Sequence, residues 1–397
     1  MKIGVLKYRF EYYPYLRNIL YKLPEAEYVP VEDLYSYRRR FALAINRRSG
    51  KGHFDTFDLN NQFEDYDLNR VDLLHLFNGI SYGHTPWVTS FETIVPRFSE
   101  LMQRYHGKTK NQIKMTVKLQ RGFEALKSPF CKKIIALSQA TALMQTDLLK
   151  ELPYGDQEII RKKMIVLHPP QEVLVDQPVK RDYDDQHPIR LILVGSGFFR
   201  KGGKEILRAF DKLILEEKAN LNLILVSSLK MDDYAAKETQ EDLVWASNFI
   251  QEHPDWIEHY PSLSQAEVLD LMKTCDIGLL PTYADSYGFS VLEAQACGLP
   301  VISTDVRALP EINNLDCGWL IRVPKNEMGE ALYSTPEERV HLSQQIQDGL
   351  EAILRNILKD SSSIYPKALN ALQRIREMHD PRDYSQKLRE IYQKALE

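Results

Sequence analysis

The chain has few residues that cross-link or ligate: four cysteines in 397 residues, Cys131, Cys275, Cys297 and Cys317, with no C-x-x-C pair and no histidine cluster at zinc spacing. That excludes a disulfide framework and a zinc module of familiar spacing, and leaves buried thiols in a reducing compartment as the expectation. Nowhere do about 18 apolar residues run together, so no membrane-crossing helix is expected. The opening Met1-Lys-Ile-Gly-Val-Leu-Lys-Tyr carries too short an apolar stretch for a signal peptide. The expected location is therefore the cytoplasm, with association at the cytoplasmic face of a membrane left open. Charge of one sign is lacking too: 51 Lys+Arg stand against 55 Asp+Glu, a net charge of −4, which argues against a surface built for nucleic acid.

What the chain has in quantity is apolar material, 44% with 10% aromatic residues, enough for two cores in a chain too long for one. Short apolar runs at Ile3–Leu6, Val71–Phe77, Trp87–Thr89, Lys133–Leu137 and Met164–Leu167 alternate with longer polar or helical stretches. Residues 171–188, rich in Asp, Gln, Pro and Lys, read as a linker. The alternation then restarts at Ile189–Val194, Leu221–Val226, Ile257–Tyr260, Ile277–Leu280, Val301–Ser303 and Trp319–Ile321. The expected fold is α/β, with two Rossmann-like, doubly wound domains facing across a cleft. Their bounds are 1–170 and 189–380. Tyr384, Leu388, Ile391, Tyr392 and Ala395 fall at helical spacing, so a closing helix over 381–397 is expected to complete the first domain.

The densest signal is Cys275-Asp-Ile-Gly-Leu-Leu-Pro-Thr-Tyr-Ala-Asp-Ser-Tyr-Gly-Phe-Ser-Val-Leu-Glu-Ala-Gln-Ala-Cys-Gly-Leu-Pro-Val-Ile302. It reads as strand, polar loop, helix from near Gly288, and stop at Gly298-Leu-Pro300. The free N–H groups of Gly288, Phe289 and Ser290 suit a diphosphate. Asp285 stands just before that helix and Glu293 lies within it, so two carboxylates address different parts of one extended ligand. Taken alone, Asp285 or Ser286 could equally be an N-cap and Glu293 a solvated helix residue. A second motif, Gly195-Ser-Gly-Phe-Phe-Arg-Lys-Gly202, follows a strand and puts the basic pair Arg200-Lys201 before a helix, which suits phosphate charge. Ser264 and Glu267 read as a capping box.

These stretches closely resemble the hallmark of glycosyltransferase family 4, the glycosyl transferases group 1, retaining enzymes of the GT-B fold. The resemblance runs through Asp285, Tyr287-Gly288, Glu293-Ala294, Gly298-Leu-Pro-Val301, Ser303-Thr-Asp305, Leu309-Pro-Glu-Ile312 and Cys317-Gly-Trp-Leu320. It implies a nucleoside-diphosphate sugar as donor, transferred with retention to a glycan, lipid-linked or small-molecule acceptor. It implies donor contacts from Ser196, Arg200, Lys201, Tyr260, Pro261, Tyr287, Gly288, Phe289, Ser290 and Glu293, with Asp285 orienting the sugar. No metal or other cofactor is expected, because the cationic groups already neutralise the diphosphate and no Asp-x-Asp motif stands in a suitable setting.

Three departures accompany the resemblance. The family usually has Glu at Asp285, a difference in reach of about 1.5 Å, one carbon–carbon bond. Many members carry His at Glu92, which leaves Glu92 as the candidate catalytic carboxylate of the first domain, orienting a sugar hydroxyl or an acceptor, or equally as a hydrogen-bonded rim carboxylate, beside Asn78 on the acceptor side. The Gly-Gly turn after the first strand is replaced by Lys7-Tyr-Arg-Phe-Glu11. These features also suit a catalytically degenerate binding or scaffold subunit. Finally, ten Lys or Arg against two acidic residues between Arg97 and Lys133, with Arg38-Arg-Arg40, Arg47-Arg48 and Lys51, are consistent with peripheral membrane contact or with a plain solvated surface.

Overall fold

The computed structural model describes residues 1–7, 18–50, 52–103, 113–184, 186–231 and 234–397. The chain divides into two compact units, one of residues 1–170 with 381–397 and one of residues 171–380. Residues 8–11 of the altered turn, Lys51, and residues 104–112 of the basic stretch lie outside the described residues.

In the first unit, strands β1 (Lys2–Leu6), β2 (Glu27–Val31), β3 (Gln62–Phe63), β4 (Leu73–Phe77), β5 (Ile80–Ser81), β6 (Trp87–Phe91), β7 (Cys131–Ala136) and β8 (Met164–Val166) are described. Six of them form a sheet in the order β2-β1-β4-β6-β7-β8, parallel throughout, and β3 pairs with β5. β4 and β6 are buried along their whole length, as strands covered on both faces must be. β2 has no counterpart among the strands expected from the sequence. Its Pro30 sits opposite Val5 at the sheet edge, the one place where a residue without an N–H is tolerated.

The closing helix Pro381–Leu396 buries the five residues whose spacing announced it. It is fastened to β4 by polar contacts: His75 Nδ1 lies 2.6 Å from the Tyr392 hydroxyl and His75 Nε2 lies 2.9 Å from Ser90 Oγ. Burial holds the imidazole pKa down to about 3, against an ordinary 6.5, so the folded protein keeps it neutral. Between those values the unfolded chain binds the proton and the folded chain does not. The contribution is therefore whole above pH 6.5 and is lost as pH falls toward 3. By pH 4 the loss amounts to about 3 kcal/mol at 1.4 kcal/mol per unit. Urea unfolding of the parent and of His75→Gln should show the parent losing that much more stability between pH 7 and 4. Parallel pH profiles would refute the assignment.

The second unit contains β9 (Ile189–Val194), β10 (Leu221–Val226), β11 (Ile257–Tyr260), β12 (Ile277–Leu280), β13 (Val301–Thr304) and β14 (Gly318–Ile321). They form one parallel sheet in the order β11-β10-β9-β12-β13-β14. Numbered within the unit this is 3-2-1-4-5-6, the Rossmann order, with the strand order reversing between β9 and β12. Residues 171–188 are not a bare tether. Leu174 N–H donates to the Ala296 carbonyl at 2.9 Å. Arg181 and the Tyr183 hydroxyl both reach Asp276, whose other oxygen accepts the Arg190 N–H at 2.8 Å. The composition of that segment conceals this because its anchors are polar and their partner lies about ninety residues further on.

Candidate functional site

Ligands of open parallel sheets bind beyond the carboxyl ends of the strands where the order reverses. In the second unit that point is bounded by the turn after β9 and the loop after β12. Two glycines bring them together. At Gly202 (φ +81°) an added Cβ would stand 2.2 Å from the Pro281 carbonyl oxygen, so only glycine lets the start of helix Gly203–Glu217 touch the end of β12. At Gly195 (φ +142°) a Cβ would stand 2.2 Å from Lys201 Cε, so the lysine stem lies across the bare turn.

Hydrogen bonds then join the two loops. Tyr283 N–H and the Thr282 hydroxyl both donate to the Arg200 carbonyl at 2.9 Å, and the Arg200 guanidinium donates to the Ala284 carbonyl at 2.6 Å. These contacts aim Lys201 and Arg200 at Asp285. Lys201 Nζ is 3.3 Å from Asp285 Oδ2 and the Arg200 guanidinium 4.0 Å. The other carboxylate oxygen accepts the Tyr287 N–H at 3.1 Å. Burial by itself would raise the Asp285 pKa, but Lys201 and Arg200 outweigh it and hold the carboxyl below its ordinary range. Asp285 is thus an anion with a buried cation beside it, two charges that a bound ligand would redistribute.

The helix Phe289–Ala296 begins where the sequence places it. Gly288 is its N-cap at φ +95°, and no side chain caps this end. The Ser290 hydroxyl in its first turn is buried without a hydrogen-bond partner among the described residues. Glu293, 7% exposed, accepts a hydrogen bond from the Gln265 amide at 3.1 Å. Gln265 was passed over in the sequence because its neighbours Ser264 and Glu267 do form a capping box, which explains the local pattern without it. The Tyr287 side chain is core, 1% exposed, and stacks obliquely with Phe289 at 5.3 Å, so what it offers a ligand is backbone.

Ser196 lies exposed on the turn, its carbonyl accepting from Ser228 Oγ at 3.3 Å. Tyr260 ends β11, two strands from β9, and Pro261 follows it, exposed. Two strand spacings are roughly 10 Å, a span that suits a nucleotide laid across the strand ends. The Tyr260 carbonyl accepts the Ser227 N–H at 3.0 Å and its hydroxyl donates to Glu258.

In the first unit Asn78 follows β4 in the left-handed conformation, φ +56°. Its amide donates to Glu92 Oε1 at 3.2 Å and its carbonyl oxygen accepts the Glu92 N–H at 3.1 Å. Arg97 donates to the same Oε1 at 2.7 Å. Glu92, 6% exposed, is therefore a carboxylate with its charge matched inside its own unit, and Arg97 is the partner that the sequence pattern did not single out. Much of the basic stretch is matched as well: Lys118 with Asp58 and Glu100, Arg121 with Glu64, and Lys127 with Glu124 and Asp156. Among the described residues no group of three or more His, Cys, Asp or Glu is placed to hold a metal ion.

A 3-2-1-4-5-6 sheet with a glycine turn and a helix N-terminus at its reversal point is a Rossmann-like unit, and with the parallel first unit the chain has the GT-B fold. Residues 180–345, within the second unit, match the family described as Glycosyl transferases group 1. Among curated relatives, the D-inositol 3-phosphate glycosyltransferase of Arthrobacter sp. (strain FB24) is 34% identical over 90 residues, 21% of each chain. The N-acetyl-alpha-D-glucosaminyl L-malate synthase of Bacillus anthracis is 24% identical over 216 residues, 47% of this chain and 50% of that one. The match thus spans about a fifth of the first relative and half of the second. Among solved structures, Anabaena HepE in complex with UDP and glucose aligns over 98% of both chains at 15% identity with a TM-score of 0.59. WaaG, a glycosyltransferase involved in lipopolysaccharide biosynthesis, aligns over 98% of this chain and 99% of its own at 14% identity with a TM-score of 0.57. At such identities the likeness speaks for the fold.

Proposed function

We propose that the protein is a retaining glycosyltransferase that moves a sugar from a nucleoside-diphosphate sugar to a hydroxyl of a glycan, lipid-linked or small-molecule acceptor, without a divalent ion. The observation that carries this reading is the convergence, at the reversal point of the second sheet, of Lys201, Arg200, Asp285 and the uncapped helix end at Gly288. The donor diphosphate lies against the N–H groups of that helix end and the two cations, which also stabilise charge building on the leaving phosphate. Glu293, steadied by Gln265, holds the ribose hydroxyls. Asp285, ionised, accepts from the donor sugar once the diphosphate draws Lys201 away from it. The crystallised UDP complexes of HepE favour uridine among the bases to be tried first.

On the first unit, Tyr37 and Phe41 lie exposed beside Arg38, Arg39 and Arg40 on helix Leu34–Ser49, an arrangement that supports contact of the acceptor side with an anionic membrane surface. Thermal shift against UDP, GDP and ADP, followed by slow hydrolysis of the matching sugar donors, tests the main reading. One nucleotide should stabilise the protein by several degrees and its sugar should be hydrolysed. No stabilisation by any nucleotide, with no hydrolysis, would leave only the scaffold reading.

A further inference from the structure

A cavity of about 430 Å³ opens on the second unit, and Lys201, Asp285, Gly288 and Glu293 do not line it. It lies among the first turns of helices Gly203–Glu217, Gln240–Glu252 and Pro336–Lys359, with Tyr283 of the loop after β12 in its wall. Its most buried polar group is Glu205, 1% exposed. Glu205 Oε1 accepts hydrogen bonds from the Tyr283 hydroxyl at 2.8 Å and from Ser343 Oγ at 2.6 Å. Oε2 is buried and has no hydrogen-bond partner among the described residues.

That vacancy holds in either charge state. As a carboxylate, Glu205 leaves Oε2 an acceptor without a donor. Protonated, it carries its hydrogen on Oε2, since Oε1 already receives two hydroxyls, and then has a donor without an acceptor. Leaving either unmet is costly, so a partner is expected, and Glu205 is a residue of the cavity wall. Burial raises the Glu205 pKa, which favours the protonated form in the empty cavity.

The wall supplies the complementary half of a recognition site. Lys204 is neutralised by Asp242, which also caps the neighbouring helix. Arg208 is exposed, with Trp245 beneath it at 5.5 Å, and has no ion-pair partner among the described residues. Arg339 uses one nitrogen, Nη1, on the Tyr333 and Ser334 carbonyls at 3.0 and 3.1 Å, leaving its other edge without a protein acceptor among the described residues. Two guanidinium groups with donors to spare and a deep carboxyl oxygen with none supplied, all in one cavity wall, are matched by a molecule carrying both an anionic group and a hydroxyl.

We propose that this cavity binds a small hydroxylated anion, a phosphate monoester or a hydroxy acid, with its anionic group on Arg208 and Arg339 and its hydroxyl on Glu205 Oε2. The site is independent of the donor reading. Tyr283 links the two regions, since its hydroxyl holds Glu205 and its N–H holds the Arg200 carbonyl.

Isothermal titration of the full chain with four probes tests it: sn-glycerol 3-phosphate, glycerate, glycerol and inorganic phosphate. At least one of the two hydroxylated anions should bind saturably, with glycerol and phosphate each weaker by about tenfold or more, since each lacks one of two contacts worth about 1.4 kcal/mol apiece. Whether glycerol 3-phosphate or glycerate is preferred tells phosphate from carboxylate. Arg208→Ser and Glu205→Leu should each weaken that binding by about tenfold, since Leu keeps the bulk and offers the hydroxyl no hydrogen bond. Saturating UDP should not displace it. Absence of saturable binding by both hydroxylated anions up to about 10 mM, weaker than any metabolite site of use, overturns the proposal. So does binding that both variants leave unchanged, or that UDP abolishes.

Discussion

Lys201→Ala should weaken binding of the nucleoside-diphosphate sugar by about 100-fold, the equivalent of roughly 3 kcal/mol for a charge-assisted contact to phosphate in a sheltered site. The lysine is 9% exposed, its stem crosses a turn where glycine alone gives it room, and its ammonium already faces a carboxylate at 3.3 Å. Nothing else in the turn can take its place, because Arg200 is held by the Ala284 carbonyl and stands 4.0 Å from Asp285.

The same substitution leaves Asp285 with one cation fewer, so its pKa should rise and part of the folded protein's stability should go with it. A carboxyl held below its ordinary value contributes stability above that value and loses it as pH falls through the lowered one, so Lys201→Ala should be the less stable at neutral pH and the less sensitive to acid. Lys201→Ala with Asp285→Asn separates the two effects. The double variant should regain stability, because the buried carboxylate left short of a cation is gone, and should still bind donor weakly. Donor affinity within twofold of the parent in Lys201→Ala would remove the diphosphate site from this turn.

The sequence was legible wherever the determinant is local. Alternating apolar runs located β9, β10, β11 and β12 at the bounds the structure has. Glycine and the residues after it located the start of helix Phe289–Ala296. What could not be read was which side chains meet. Lys201 and Asp285 are 84 positions apart, and only the 3-2-1-4-5-6 order makes their loops neighbours. Glu92 read equally as a carboxylate that orients a sugar or acceptor hydroxyl and as a hydrogen-bonded rim carboxylate, because its partners Arg97 and Asn78 give no local sign of turning toward it. The resemblance names Tyr287 among the donor contacts without saying which of its atoms are offered, since an aromatic beside a loop glycine reads the same whether its ring faces solvent or core, and here the ring faces core. β2 was lost for the opposite reason: a proline in its middle is a strong local signal against a strand, overruled by its place at the sheet edge.

Gly202→Ala should destabilise the second unit by about 3–5 kcal/mol, more than a typical surface change and as much as a large core deletion. Two costs add. The residue sits at φ +81°, where a side chain costs about 1–2 kcal/mol. The new methyl would also stand 2.2 Å from the Pro281 carbonyl oxygen and 3.0 Å from its carbon. Those atoms are backbone of the loop that carries Thr282, Tyr283 and Asp285, so the clash cannot be relieved by turning a side chain. It must push the two loops apart. Gly288→Ala offers the comparison: its φ of +95° is similarly unfavourable, but its methyl would meet Leu309 Cδ2 at 2.6 Å and Ile312 Cδ1 at 3.1 Å, the far ends of side chains that can shift. Gly288→Ala should therefore cost less, about 1–3 kcal/mol. Denaturant midpoints of the two variants rank the costs, and donor titration of the folded fraction reads the consequence. Separating Arg200 from the Tyr283 and Ala284 backbone should weaken donor binding in Gly202→Ala even under conditions where the protein remains folded. A Gly202→Ala variant within about 1 kcal/mol of the parent, the range of a tolerated surface change, would mean that the two loops at the reversal point are not held in the contact that aims Lys201 at Asp285.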